Sequence, residues 1–199
     1  MTRLSLNKSS LSSQAKLLKT YEEFLPSLDM KRQQLMLEQS LARRQVRELE
    51  RALAAVAPQV AARCPMLSNT HVDLAGLVTV RGVDIETENI LGARLPVLRA
   101  VRLEVRTYAF LGKPHWVDNV VDYLRHALEL HVRLQVARRR LALLGDAARI
   151  ITQRVNLFGK VLIPRAQGNI KKIRIHLGDQ ERARVVTSKL AKAKKRVAP

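Results

Sequence analysis

The stretch LPSLDMKRQQLMLEQSLARRQVRELERALAAV, residues 25–56, decides the fold. Leu25, Arg32, Gln39, Val46 and Leu53 stand seven apart, and Leu28, Leu35, Ala42, Leu49 and Val56 form a second series three residues behind. Seams spaced alternately three and four belong to a helix that packs on another helix along one narrow face. Residues off the seams, among them Lys31, Arg43, Arg44, Arg47, Glu48, Glu50 and Arg51, are charged, as a solvated face requires. The pattern runs back through Tyr21, Leu18, Leu11 and Leu4 and forward to Val60. One helix of about 59 residues, about 88 Å at 1.5 Å per residue, is expected. Pro26 lacks an amide proton and its ring opposes the carbonyl of Glu22, which predicts a kink; the seam keeps phase on both sides, which argues against a break.

A second arm repeats the pattern. Val120, Ala127, Leu134, Leu141, Ala148, Val155 and Leu162 form one series, and Tyr123, Leu130, Ala137, Leu144, Ile151 and Phe158 its partner. Past Leu162 the stripe continues through Ala166, Ile170, Ile173 and Leu177, so that Val155 to Leu177 takes 22 residues over six turns. That is close to an 11-residue repeat, which locally unwinds a left-handed supercoil. Pro164 opposes the carbonyl of Lys160 at the same place, so a bend or straightened segment is expected. The fold class is therefore mainly α: a long antiparallel two-helix coiled coil with residue 62 facing about residue 117, Ser5 near Arg174, and the C-terminal arm overshooting its partner. Its seam is expected to hold Leu11, Leu18, Leu25, Leu28, Leu35, Leu49 and Leu53 against Val120, Leu134, Leu141, Ile151, Val155 and Leu162. A four-helix bundle broken at Pro26 and near Gly145 is the alternative, disfavoured because no Gly or Pro pair marks the turns it needs.

Between the arms the punctuation changes. Residues 1–62 hold no glycine, whereas residues 63–116 hold four Gly and three Pro. Val101, Leu103 and Val105 alternate with Arg102, Glu104 and Arg106, the period of a half-buried strand, and Val78, Val80, Val83 and Ile85 carry the same signal upstream. A small β-hairpin is expected, bounded at Leu95-Pro96 and Lys113-Pro114, with Asp84, Glu86 and Glu88 making an acidic patch on one face. The organisation read from this is an N-terminal coiled-coil helix over 1–62, a β-containing insert over 63–116, a C-terminal coiled-coil helix over 117–190 and a disordered basic tail over 191–199.

The 199 residues carry 36 basic and 17 acidic side chains, and aromatic residues are only 4%. The third part holds 19 basic against 6 acidic residues, so the excess belongs to the C-terminal arm. Lys171 to Arg196 alone contains 10 basic and 2 acidic residues. Such charge attracts nucleic acid unspecifically, but no aromatic side chain lies among these residues to stack on bases. A tail seated in an acidic or carbonyl-lined protein cavity accounts for the same residues. No glycine-rich phosphate loop occurs, and His71, His115, His126, His131 and His176 have no metal-ligand spacing. Asp118 and Asp122 are read as complements to a helix dipole, and Ser9, Ser10, Ser12 and Ser13 as capping hydroxyls. No catalytic residue, cofactor or metal is expected. One Cys, Cys64, fits a reducing compartment, and no run reaches the roughly 20 apolar residues of a membrane span.

Specific residues add to the periodicity. Arg154-Val155-Asn156, Ile163-Pro164-Arg165, Ile170-Lys171-Lys172-Ile173 and Glu181-Arg182 resemble the C-terminal signature of the D subunit of V-type and archaeal-type rotary ATPases. Asn89 to Pro96 resembles that family's central segment, and Leu28 to Leu35 its N-terminal helix. Ala166-Gln167-Gly168-Asn169 and Gly159-Lys160 depart from the family's usual residues. The resemblance implies a non-catalytic central rotor shaft that couples ATP synthesis or hydrolysis to proton or sodium transport. The implied partners are the catalytic A and B subunits, the small F subunit of the stalk and a connector subunit of the membrane rotor. The chain itself would be cytoplasmic and peripheral to the membrane, with no direct insertion and no specific nucleic acid. Arg138, Arg139, Arg140, Arg154, Asn156, Ile163, Pro164, Arg165, Lys171 and Lys172 are the expected partner-facing residues. The competing readings are a basic coiled coil associated with nucleic acid or ribosomes, and a helical adaptor in trafficking.

Overall fold

The computed structural model describes residues 4–68, 74–107 and 114–197. Its elements run α1 (Lys8–Arg63), a short 3-10 turn (Pro65–Ser68), β1 (Val78–Ile90), β2 (Ala93–Val105), α2 (Trp116–Leu157), a π turn (Phe158–Leu162) and α3 (Ile163–Val197). His71 and Lys113 lie outside the described residues, as do the side chains of Lys194, Lys195 and Arg196. Helix α1 is not divided at Pro26, nor α2 at Gly145, so the broken-bundle alternative does not apply. Helix α3 runs to Val197, into the segment expected as a disordered tail. The chain forms two compact units, one of Met1–Arg32 with Ile150–Pro199 and one of Gln33–Arg149.

In the first unit α1 opens with a side-chain cap. The Asn7 Oδ1 accepts the Ser10 amide at 2.7 Å, so the capping role falls to Asn7 while Ser9 and Ser10 sit in the first helical turn. The helices run antiparallel: Asn169 Nδ2 donates to Gln14 Oε1 at 3.2 Å, and further along α1 the Tyr21 and Phe158 rings meet edge to face with centroids 5.4 Å apart. Leu11, Leu18, Leu25 and Leu28 are half-buried, as are Ile151, Val155 and Leu162; Ala166, Ile170 and Ile173 are fully buried. Ser5 lines a groove with Arg165, Ala166 and Asn169, not with Arg174, because the chain leaves the helix before Lys8. Beyond Gly178 every described side chain, residues 179–192, is exposed.

A π turn, Phe158–Leu162, stands immediately before Pro164. The Ile163 amide donates to the Phe158 carbonyl, five residues back, which makes one wide turn immediately before the proline. A π turn takes up an additional residue at one point, where an 11-residue repeat would spread it over several turns.

In the second unit the pairing is again antiparallel, with Arg138 Nη2 donating to Glu50 Oε1 at 2.7 Å and Arg63 Nη1 to Tyr123 Oη at 3.3 Å. The expected facing of residues 62 and 117 is therefore displaced by about two helical turns. The reason is that the first turn of α2 serves the hairpin: Leu77, Val117 and Val121 form a buried cluster with Leu74, Val78, Val105 and Trp116 around it. A second cluster of Val46, Leu134 and Ala137, flanked by Leu49, Leu53 and Leu141, closes the helix seam. Helix α2 thus buries one face on α1 and another on the hairpin.

The hairpin pairs β1 with β2 antiparallel from Val78↔Val105 to Ile90↔Ala93. Its turn places Leu91 and Gly92 at φ 54° and 92°, a two-residue turn with both central residues left-handed, and Asn89 Oδ1 accepts the Gly92 amide at 3.0 Å. Register shifts fall between Val80 and Gly82 and between Asp84 and Ile85, leaving Arg81 and Arg99 as the unpaired residues. The first bulge explains why the apolar alternation changes phase between Val80 and Val83. Leu95-Pro96 is not a boundary, since both lie inside β2, where Pro96 opposes Thr87. In a two-stranded sheet each strand has a free edge on which a missing amide costs no ladder bond. Nor is there an acidic patch: Asp84 pairs with Arg102 at 2.7 Å, Glu86 with Arg99 at 2.6 Å and Glu88 with Arg140 at 3.1 Å. The edges are blunted by bulges, charges and Pro96, which disfavours pairing with a foreign strand.

Candidate interaction surface

Helical packing sorts the expected partner-facing residues into three groups. Arg138 and Arg140 are engaged within the chain, to Glu50 and Glu88, while Arg139 between them is exposed. The consecutive arginines therefore do not form one free cationic patch. Arg154, Asn156, Pro164, Arg165, Lys171 and Lys172 are exposed, and Ile163 is half-buried. Arg165 borders the groove that contains Gln14 and Tyr21, and Lys171 borders another with Leu18 and Glu22.

Where α1 carries Pro26, an open cleft of about 440 Å³ is lined by Pro26, Asp29, Arg32, Asn156, Gly159 and Lys160. Arg32 stands at a seam position and binds Asp29 at 2.7 Å, and its Nε is buried without a hydrogen-bond partner. The heptad places Arg32 in the seam, but its partner follows from an i, i+3 spacing that seam counting ignores. On the hairpin, the hydrogen bond that Arg99 donates to Glu86, and then the Glu86 charge, raise the Arg99 pKa, and Asp84 as acceptor does the same for Arg102. The shift on each arginine is upward, so its positive charge is lost only as pH rises through the raised value.

Large apolar side chains also face outward. Phe24, Met30, Met36, Leu37 and Leu41 on α1, and Ile175, Val185, Val186 and Leu190 on α3, are all exposed. Single exposed apolar residues are ordinary; their recurrence on helices already packed along a seam is a feature of partner-covered surfaces. Among the described residues no group of three or more His, Cys, Asp or Glu could hold a metal, and no helix is long and apolar enough to cross a membrane.

Two helices pairing antiparallel, a central hairpin with the Asn89–Pro96 segment at its tip, and a C-terminal helix continuing past its partner together invite comparison with known chains. The profile of the family described as the D subunit of ATP synthase matches residues 10–193. The chain belongs to the ATP synthase D-subunit family. Among similar proteins, the V-type ATP synthase D subunit of Borreliella burgdorferi is 33% identical over 195 residues, covering 97% of this chain and 95% of that one. The V-type ATP synthase D subunit of Chlamydia caviae is also 33% identical over 195 residues, covering 97% and 94%. The segment read as a resemblance, Asn89–Pro96, spans the hairpin turn, where Asn89 and Gly92 have a geometric task. Ile163-Pro164 stands at the exit of the π turn.

Proposed function

We propose that this D-subunit chain is the non-catalytic central rotor of a V/A-type ATP synthase or ATPase. It would transmit torque between the catalytic A/B hexamer and the membrane ion-carrying ring, coupling ATP synthesis or hydrolysis to proton or sodium transport. The observation that carries this reading is the free end of α3, in which residues 179–192 are exposed without exception and mix Val185, Val186 and Leu190 with Arg182, Arg184, Lys189 and Lys192. A helix of that composition is suited to a collar that takes both apolar and cationic side chains. Coupling then arises because different rotor faces meet a given catalytic interface with different contact free energies, which biases its conformations in turn. The small F subunit of the stalk and a connector to the membrane ring are the further partners, and the complex would hold the chain at the cytoplasmic side of the membrane.

Arg139, Arg154, Asn156, Pro164, Arg165, Lys171 and Lys172 are proposed as outward contacts, with Ile163 partly inward. Arg138 and Arg140 contribute less to partners because each already holds an internal carboxylate. Co-purification with the A, B and F subunits tests the reading. Retention of all three after nuclease treatment supports the rotor, and loss of all partners on nuclease treatment supports a nucleic-acid-associated coiled coil. In reconstituted vesicles Arg139→Ala should lower ion pumping per ATP hydrolysed more than Arg138→Ala does; equal pumping ratios for the wild type and Arg139→Ala would remove Arg139 from the coupling surface.

A further inference from the structure

The apolar stripe that faces α1 in the first unit reads Val155, Phe158, Leu162, Ala166, Ile170, Ile173 and Leu177, with steps of three, four, four, four, three and four. A regular heptad seam alternates three and four, so this stripe carries one residue too many. Three consecutive steps of four would carry the stripe of an ordinary α-helix about 120° away from its partner. Yet Ala166, Ile170 and Ile173 remain buried beyond that point, and Leu177 half-buried. What lies between is the π turn, in which Ile163 N–H reaches back five residues to the Phe158 carbonyl. Opposite it, α1 keeps an unbroken spacing through Leu11, Gln14, Leu18, Tyr21, Leu25 and Leu28, each of them half-buried. The surplus is confined to one helix of the pair.

We propose that the π turn Phe158–Leu162 is a phase-keeping element, absorbing one residue in excess of the heptad so that the stripe beyond it, and with it the free end of α3, keeps the angle of the α1-paired seam. Pro164 sits beside the turn but is not its cause. The surplus belongs to the spacing of the stripe, and the proline only makes the wide turn easier by lacking an amide that an α-helical ladder would use. Left in an ordinary α-helix, a one-residue surplus would rotate everything beyond it by about 100°, and the wide turn cancels that rotation. Under the rotor reading, on which the functional half of this proposal rests, the angle so kept decides which of Arg182, Arg184, Val185, Val186, Lys189 and Leu190 meets a given catalytic interface.

Removing Pro164 altogether leaves the steps three, four, three, four, three, four, whereas Pro164→Ala keeps the surplus. In thermal denaturation of the full chain the deletion is expected to melt about 2–4 °C above Pro164→Ala. A deletion variant that melts below Pro164→Ala would overturn the proposal, because the turn would then be relief of the proline alone. Folding of both variants is checked by helical circular dichroism, and deletion of Gln153, which breaks a regular part of the seam, should melt below both. In the assembled complex the deletion and Pro164→Ala should both keep coupling, because removing an absorbed residue leaves the angle of the free end unchanged. One alanine inserted after Gly178, where no wide turn absorbs it, rotates the free end by about 100° and should lose coupling; loss of coupling in the deletion variant, or its retention after the insertion, would refute the phase role. If the wild-type chain fails to assemble with the A and B subunits, the rotor reading falls while the melting comparison still decides the phase.

Discussion

On a single helix, α1, Leu35, Ala42, Val46 and Val56 are closed off from solvent while Leu11, Leu18, Leu25 and Leu28 stay half-exposed. The first set lies in the unit that contains the hairpin and the second in the unit that has only the helix pair. Both sets follow the same heptad, so the pattern alone does not determine depth of burial. On the α1 side of the bare pair the seam keeps its flanks open, although on α3 Ala166, Ile170 and Ile173 are closed off without a third element. In the hairpin-bearing unit a third element packs on α2 through Leu77, Val117 and Val121. The α1 side of the bare pair gains only part of the roughly 1.5–3 kcal/mol that full burial of a Leu or Val provides.

The largest test of this difference compares equivalent truncations. Leu144 is 0% exposed, and Leu144→Ala should destabilise the chain by about 3–5 kcal/mol in urea denaturation, against about 1–2 kcal/mol for Leu18→Ala. Similar losses at both sites would erase the distinction between the units. Next, Val117→Ala should cost about 2 kcal/mol, since Val117 is fully buried in the hairpin cluster. A double-mutant cycle with Leu77→Ala should give a coupling of about 0.5 kcal/mol or more, as contacting residues do. Additive losses would mean that the hairpin does not buttress α2.

Much of this was legible in the sequence. The seam residues from Leu11 to Val56 and from Val120 to Leu177 all lie on inward faces, because a period of three and four admits no other placement. The hairpin was legible too, but its interior was not: Val78, Val80, Val83 and Ile85 read as one strand signal with no bulge at Arg81, and Pro96 read as a boundary because a proline usually ends a strand. The acidic patch failed for a more general reason. Asp84, Glu86 and Glu88 find their cations on β2 and α2, and Glu88 and Arg140 are 52 residues apart in the chain. Likewise the run Arg138–Arg140 reads as a free cluster until Glu50, 88 residues away, is placed beside Arg138. Charge partners across helices depend on register, and in the second unit a register displaced by about two turns changes which residues of α1 and α2 face each other.

Those long-range pairs supply the third prediction. Arg138→Ala should cost less than about 1 kcal/mol, since both partners are substantially exposed, and the difference from the wild type should shrink further in about 1 M salt. A loss above about 2 kcal/mol that salt does not reduce would show that the charge pair, not the apolar seam, organises this unit.

The smallest effect concerns close approach of the helices. A Cβ built on Gly145 would stand 3.2 Å from Gln39 Nε2, tighter than an ordinary contact, at a seam position where Gln39 replaces an apolar residue. Two opposed terms decide Gly145→Ala. Replacing glycine inside a helix gains about 0.5–1 kcal/mol of propensity. Against this, Gln39 must withdraw by a few tenths of an ångström, which its flexible end does at small cost because the atom approached is the tip of the side chain and not backbone. The net expectation is stabilisation of roughly 0.5 kcal/mol in urea denaturation. Destabilisation would locate a rigid polar layer at Gln39, and Gln39→Ala combined with Gly145→Ala should then recover the propensity gain. Recovery would assign the cost to the glutamine; continued loss would mean that the helix backbones themselves are too close at this level to admit a methyl group.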